Sequence, residues 1–199
     1  ILRQESPLTD ERGQLMDIVI REWERLNETI RSFLAYARPQ RQSMRHMDVR
    51  QVITDTATLL QNSPERSELH RIAVDVPGDP VMLQADEAQI RQIVWNLATN
   101  GLRAMPSGGI LTLAVAPATD ATPHVAISVS DEGVGIAPEE LEGIFQPFRG
   151  SFERGTGLGL AMVHRIVSDY SGEVKVNSTK GAGTTVQVRF PAGVGAAVS

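Results

Sequence analysis

Two glycine-rich segments, Asp131-Glu-Gly133-Val-Gly135 and Gly155-Thr-Gly157-Leu-Gly159-Leu160, constrain this chain more than any other feature. The first follows an alternating apolar run, and the second stands at the mouth of a helix. Glycines at spacing two let the backbone take positive φ and come close to a ligand. Several N–H groups can then converge on phosphate oxygens at a helix N-terminus, where the dipole favours negative charge. One such cluster is usually an ordinary turn. Two of them, framing residues that read as a polar, flexible lid over 136–156, point to a pocket for a phosphorylated ligand.

Composition removes several alternatives. A net charge of −5 argues against a nucleic-acid partner, which calls for a basic surface. With no cysteine, disulfides, thiolate metal sites and cysteine nucleophiles are excluded, in keeping with a reducing compartment. No apolar run reaches the ~20 residues that cross a bilayer, so no membrane contact is expected from this stretch. Both lysines, Lys175 and Lys180, lie outside any G-x-x-x-x-G-K pattern, which excludes a P-loop. The chain opens on Ile1, as a piece of a longer protein would.

Thr9 offers an N-cap with Asp10 and Glu11 behind it. Met16, Val19, Trp23, Leu26, Ile30, Phe33 and Ala37 then form an a/d seam that ends at Pro39. Such a helix packs on a partner helix, in the same molecule or across a dimer, or lies on its own domain. Residues 1–40 are expected to be this helical unit and 41–46 a polar linker. Residues 47–191 form the main domain, and 192–199 are a frayed tail. Within the domain, the patterns predict a helix from Asp48 through Leu60 and two short strands at Ile72–Val76 and Val81–Gln84, joined by a Pro-Gly-Asp-Pro turn. A long helix then runs from Asp86 to about Ala104. Strands follow at Ile110–Ala116 and Val125–Val129, then a helix over Leu158–Tyr170 and a hairpin of Glu173–Asn177 with Thr184–Phe190. Helix and strand runs without strict βαβ alternation indicate an α+β fold, a mixed sheet with helices on one face.

On the long helix, Asn96, Asn100 and Arg103 share one stripe beside the apolar face of Ile90, Ile93, Val94 and Leu97. A side-chain amide oxygen is a hard neutral ligand suited to Mg²⁺, although two helical asparagines can equally be solvated or bond locally. Asp131 is either a turn-former ahead of Gly133 or an acceptor for an exocyclic amine; the two roles are compatible.

Taken in order, Asn96-x-x-x-Asn100, Asp131-x-Gly133-x-Gly135, Phe145-Gln-Pro-Phe148, Gly155-Thr-Gly157-Leu-Gly159-Leu160 and Gly181-x-Gly183-Thr184 resemble the nucleotide boxes of bacterial sensor histidine kinases. These belong to the superfamily of gyrase, the heat-shock chaperones and MutL, with its Bergerat α/β-sandwich ATP site. The seam ending Phe33-Leu-Ala-Tyr-Ala-Arg-Pro39 resembles the second helix of the dimerisation and phosphotransfer hairpin, most like nitrogen-regulation-type kinases. The resemblance implies ATP and Mg²⁺ as cofactors, with Asn100 (beside Asn96) as the metal ligand and Arg103 on the phosphates. It implies that Asp131, with Gly133, Gly135, Ile136 and Thr184 around it, reads adenine. Gly155, Thr156, Gly157, Leu158, Gly159 and Leu160 would cradle phosphates. Partners implied are a response regulator and a second copy of the chain, in the cytoplasm, with the parent protein free to be membrane-anchored.

Two departures stand out. Arg149-Gly-Ser-Phe152 occupies the place of a Phe-Thr-Thr-Lys segment, so Arg149 or Arg154 is the candidate for the missing lid lysine. None of His46, His70, His124 and His164 lies in a His-Glu phosphoacceptor motif, so the acceptor is expected on a helix upstream of Ile1. The competing class is an ATP-hydrolysing or nucleotide-sensing relative. In its hydrolytic branch a glutamate stands where this chain has Asn96, an amide that cannot act as a general base.

Overall fold

The computed structural model describes residues 10–37, 43–118, 123–149 and 156–191. The chain divides into two compact units, Ile1–Pro39 and Gln40–Ser199. Among the described residues the first contributes one helix, α1 (Asp10–Ala37); Thr9 and Pro39, its expected boundaries, lie outside them. Five of its seam residues, Val19, Trp23, Leu26, Ile30 and Phe33, are open to solvent, from 47% exposure at Phe33 to 66% at Trp23, and Met16 is half-buried.

In the second unit the order is β1 (Arg45–Asp48), α2 (Val49–Leu60), β2 (His70–Asp75), β3 (Met82–Ala85), α3 (Glu87–Ala104), β4 (Gly109–Ala118), β5 (His124–Asp131), α4 (Pro138–Leu141), α5 (Gly159–Asp169), β6 (Glu173–Thr179) and β7 (Gly183–Pro191). Five strands form a mixed sheet ordered β2-β4-β5-β7-β6, with β2 and β4 parallel and the other pairs antiparallel. This is the expected α+β sandwich.

The core lies between one sheet face and α2, α3 and α5. Val49, Val52, Ile53, Ala57 and Leu60 recur at helical spacing on α2, and all are buried. Alternate residues Leu111, Leu113 and Val115 of β4, Val125, Ile127 and Val129 of β5, and Val186, Val188 and Phe190 of β7 face them. Phe190 meets Tyr170 edge-on, with centroids 5.7 Å apart. The Tyr170 hydroxyl donates to Gln89 Oε1 at 2.7 Å and accepts from the Asp86 amide at 2.9 Å, joining the end of α5 to the start of α3.

The Pro-Gly-Asp-Pro turn does not close a hairpin. β2 joins the large sheet beside β4, whereas β3 pairs with β1 in a separate two-stranded ribbon. Arg45 and His46, expected in the linker, are therefore strand residues. The reason is a side-chain hub at the start of α2. The Asp48 carboxylate caps the Arg50 amide and accepts from the Val81 amide, both at 3.1 Å. The Arg50 guanidinium grips Asp48 at 2.7 Å and donates to the carbonyls of Pro77 and Gly78. The turn is thereby bound to α2, and β2 is free to pair elsewhere. That Arg50 grip holds the Asp48 carboxyl below its usual range.

Candidate functional site

Three elements meet at the C-terminal half of α3. The first is α3 itself, capped by Asp86, which accepts from the Ala88 amide at 2.9 Å. Its buried stripe holds the helix on the sheet and leaves Asn96, Asn100 and Arg103 half-buried along its edge. The second is the start of α5: a Cβ added at Gly159 would lie 3.6 Å from Asn100 Nδ2 and 3.9 Å from Asn96 Cβ. The N-cap residue Leu158 makes no side-chain cap bond, and the first-turn N–H groups of α5, which have no intrahelical partner, lie beside the two asparagines. The third is the end of β5. A Cβ at Gly101, next to Asn100, would meet Leu111 Cδ1 at 2.6 Å and Asp131 Cβ at 3.3 Å, so helix and carboxylate are in close approach.

Asp131 lies on the helix-covered face of the sheet, in a cross-strand row with Leu111, Thr184 and Ser178. Burial raises its pKa, and amide donation from Gly133 and Thr184 offsets this only in part. The Gly133 amide reaches Asp131 Oδ1 at 2.9 Å. Asp131 thus forms the turn ahead of Gly133 and keeps a half-buried carboxylate beside α3.

The first glycine segment is clamped on two sides. The Val134 amide donates to Ala104 O at 2.9 Å, and the Gly181 amide donates to Val134 O at 2.7 Å. A Cβ at Gly133 would strike the Ala104 backbone, and one at Gly135, where φ is 65°, would strike Thr179 O. Ile136 starts the lid by donating its amide to Ser178 Oγ at 2.8 Å. The lid then forms the one-turn helix α4 and a run of turns to Arg149. Phe148, at φ 62°, bonds through its amide to Gly157 O at 2.9 Å, joining the Phe145–Phe148 motif to the second glycine segment. Thr156 Oγ1 accepts from the Leu158 amide at 3.3 Å, Leu158 is buried, and Leu160 lies in the first turn of α5. Gly155 and Arg154 lie outside the described residues.

Arg103 also has a partner outside this cluster. It shares the asparagine stripe, yet its guanidinium donates to Glu65 Oε1 at 2.7 Å, in the connection between α2 and β2. Nothing in the sequence marks Glu65, a charged residue in a polar loop. Ser178 is likewise unmarked; only strand pairing brings it beside Thr184. The histidines are dispersed. His70 is buried, accepting from the Ser67 amide at Nδ1 (2.9 Å) with Nε2 2.8 Å from Met105 O. His124 is buried at the start of β5, His46 is exposed, and His164 sits 5.4 Å from the Phe145 ring. Among the described residues no cluster of carboxylates and imidazoles could hold a metal, and no helix is long and apolar enough to cross a membrane.

A mixed sheet with helices on one face and an amide-bearing helix between two glycine turns is the Bergerat-type α/β sandwich. The chain belongs to the family described as histidine kinase-, DNA gyrase B-, and HSP90-like ATPase, whose model matches residues 85–194. It is 33% identical over 181 residues to sporulation kinase C of Bacillus subtilis, covering 91% of this chain and 42% of that protein. To sensor histidine kinase ZraS of Salmonella typhimurium it is 29% identical over 188 residues, covering 94% and 40%. Full-length ShkA, solved in complex with AMPPNP, superimposes with a TM-score of 0.77 at 28% identity, covering 98% of this chain and 42% of that one. The chain thus spans about two fifths of the length of these relatives.

Proposed function

We propose that this chain is the ATP-binding catalytic core of a sensor histidine kinase, moving the γ-phosphoryl of ATP to a histidine on a helix other than those described. The observation that carries the proposal is the convergence of Asp131, Asn100 and the uncapped start of α5 around one stretch of α3. An acceptor carboxylate, neutral amides and first-turn N–H donors, in that order, match a base with an exocyclic amine, a metal and a polyphosphate.

The donor set fits Mg²⁺, since Asn100 offers a neutral oxygen and the ion takes its remaining ligands from water and phosphate. When bound, the metal supplies charge neutralisation on the polyphosphate. Asn100, assisted by Asn96, holds it. The amides around Gly157–Gly159 orient the phosphates, and Arg103, once released from Glu65, adds a positive charge. Asp131, with Thr184 beside it, accepts from the adenine amine, while Gly133, Gly135 and Ile136 shape the rim. Phosphoryl transfer then needs positioning more than covalent help. The bond from γ-phosphorus to its bridging oxygen breaks, a bond to an imidazole nitrogen forms, and ADP leaves.

Asn96 cannot deprotonate water, which supports transfer over hydrolysis. The exposed α1 seam supports a homodimer through paired helices, the kinase reading implies a response regulator as phosphoryl recipient, and dependence on ATP goes with a cytoplasmic site of action. The test is incubation with γ-labelled ATP and a separate helical hairpin carrying a His-Glu acceptor motif. Acid-labile label on the hairpin is expected; free phosphate as the sole product would overturn the reading in favour of an ATPase.

A further inference from the structure

At the end of the sheet that carries Asp131, three strands place Asp131, Thr184 and Ser178 side by side on the helix-covered face. Ser178 Oγ has three polar neighbours: Gly183 O at 3.1 Å, the Ile136 amide at 2.8 Å and Thr184 Oγ1 at 2.9 Å. A hydroxyl has one proton and two lone pairs. A carbonyl can only accept, so the Ser178 proton goes to Gly183 O. An amide N–H can only donate, so Ile136 fills one serine lone pair. The remaining contact must then be donated by Thr184 into the other lone pair. Ser178 is saturated, and the only hydroxyl proton of Thr184 is spent on it.

Beside Asp131, Thr184 Oγ1 is therefore left with lone pairs alone. The ionised carboxylate and the threonine hydroxyl together form a corner that accepts and does not donate.

We infer that Ser178 is a specificity-determining positioning residue: by taking the Thr184 proton it makes this corner selective for a base edge bearing an amino group and hostile to one bearing a keto oxygen. An exocyclic amine has two protons, one for each acceptor. A keto oxygen at the same place would face two acceptors and lose its own hydrogen bonds to water, a cost that gives polar sites their discrimination. This rests on the nucleotide reading above and adds to it the residue that sets the polarity of the pocket.

The test is calorimetric titration of the whole chain with MgATP and with MgITP, which differ at this position of the base by amine against keto oxygen. Wild type is expected to prefer ATP. In Ser178→Ala the threonine proton is released and can turn toward the ligand, so the ATP:ITP affinity ratio should fall by about tenfold, the scale of one hydrogen bond. Ser178→Thr, which keeps the hydroxyl, should restore the ratio. Thr184→Val, which leaves the Ser178–Ile136 bond in place, should lower the ratio in the same way and serves if Ser178→Ala does not fold. Equal losses for both nucleotides in Ser178→Ala, with the ratio unchanged, would show a merely structural serine and overturn the inference while leaving the nucleotide reading intact. Wild type binding neither nucleotide would overturn both.

Discussion

Arg103 and Glu65 form an ion pair at 2.7 Å that ties the last turn of α3 to the α2–β2 connection, with side chains 20% and 26% exposed. In the kinase reading, nucleotide phosphates compete with this carboxylate for the same guanidinium. The pair is sheltered enough to be worth more than an exposed one, and removing one partner strands the other.

Glu65→Gln is expected to tighten MgATP binding several-fold and to leave adenosine binding unchanged, because only the former uses Arg103. Fluorescence titration with both ligands checks this. Unchanged MgATP affinity would place Arg103 outside the phosphate site.

In the kinase reading, Asp131 links nucleotide binding to pH. Burial raises its carboxyl pKa in the folded chain, so over the window from ~4 up to the raised value the folded state holds more proton than the unfolded one. The protonated carboxyl is the comfortable form, and stability from this group is lost as pH rises through that window. Asp131→Asn should remove the loss. Its melting temperature should match wild type at low pH, exceed it at neutral pH, and come with loss of adenine selectivity. Thermal melts of both proteins across the window decide; parallel curves would contradict the assignment.

Gly135 is held at φ 65° with the Thr179 carbonyl where a Cβ would stand. Gly135→Ala should cost about 1–3 kcal/mol of stability from backbone strain and collision. It should also weaken nucleotide binding, because Asp131-Glu-Gly133 and the Ile136 amide must shift together. Urea unfolding and ATP titration measure the two effects; an alanine variant with wild-type stability would show that the turn is looser than its geometry implies.

The α1 seam is the chain's largest set of exposed apolar side chains among the described residues, with Val19, Trp23, Leu26 and Ile30 each more than half exposed. Burying each large side chain is worth roughly 1.5–3 kcal/mol. Self-association through this helix is therefore expected. Trp23→Glu with Leu26→Glu should abolish it without changing ATP affinity, since the proposed nucleotide residues all lie in the unit Gln40–Ser199. Sedimentation of wild type and variant is the check, and a monomeric wild type would remove the seam as a dimer surface.

The sequence by itself determined the helices, most strands and the glycine turns, because these are written in local periodicity. The buried stripe of α2, the apolar face of α3 beside Asn96 and Asn100, and the alternation of β4 and β7 all follow from spacing within one element. Gly133, Gly135 and Gly157 were legible for a similar reason: glycine at a positive φ or a close approach leaves a local mark. Three features could be decided only by tertiary structure. β3 pairs with β1, not β2, because Asp48 and Arg50 bind the intervening turn. Arg103 turns to Glu65, 38 residues away in sequence. The Thr184 proton is directed by Ser178, which lies beside it only because β6 and β7 pair in that register. Each is a contact between residues whose sequence separation encodes nothing about their meeting. Strand order and hydrogen-bond direction belong to the assembled sheet, and no single segment carries them.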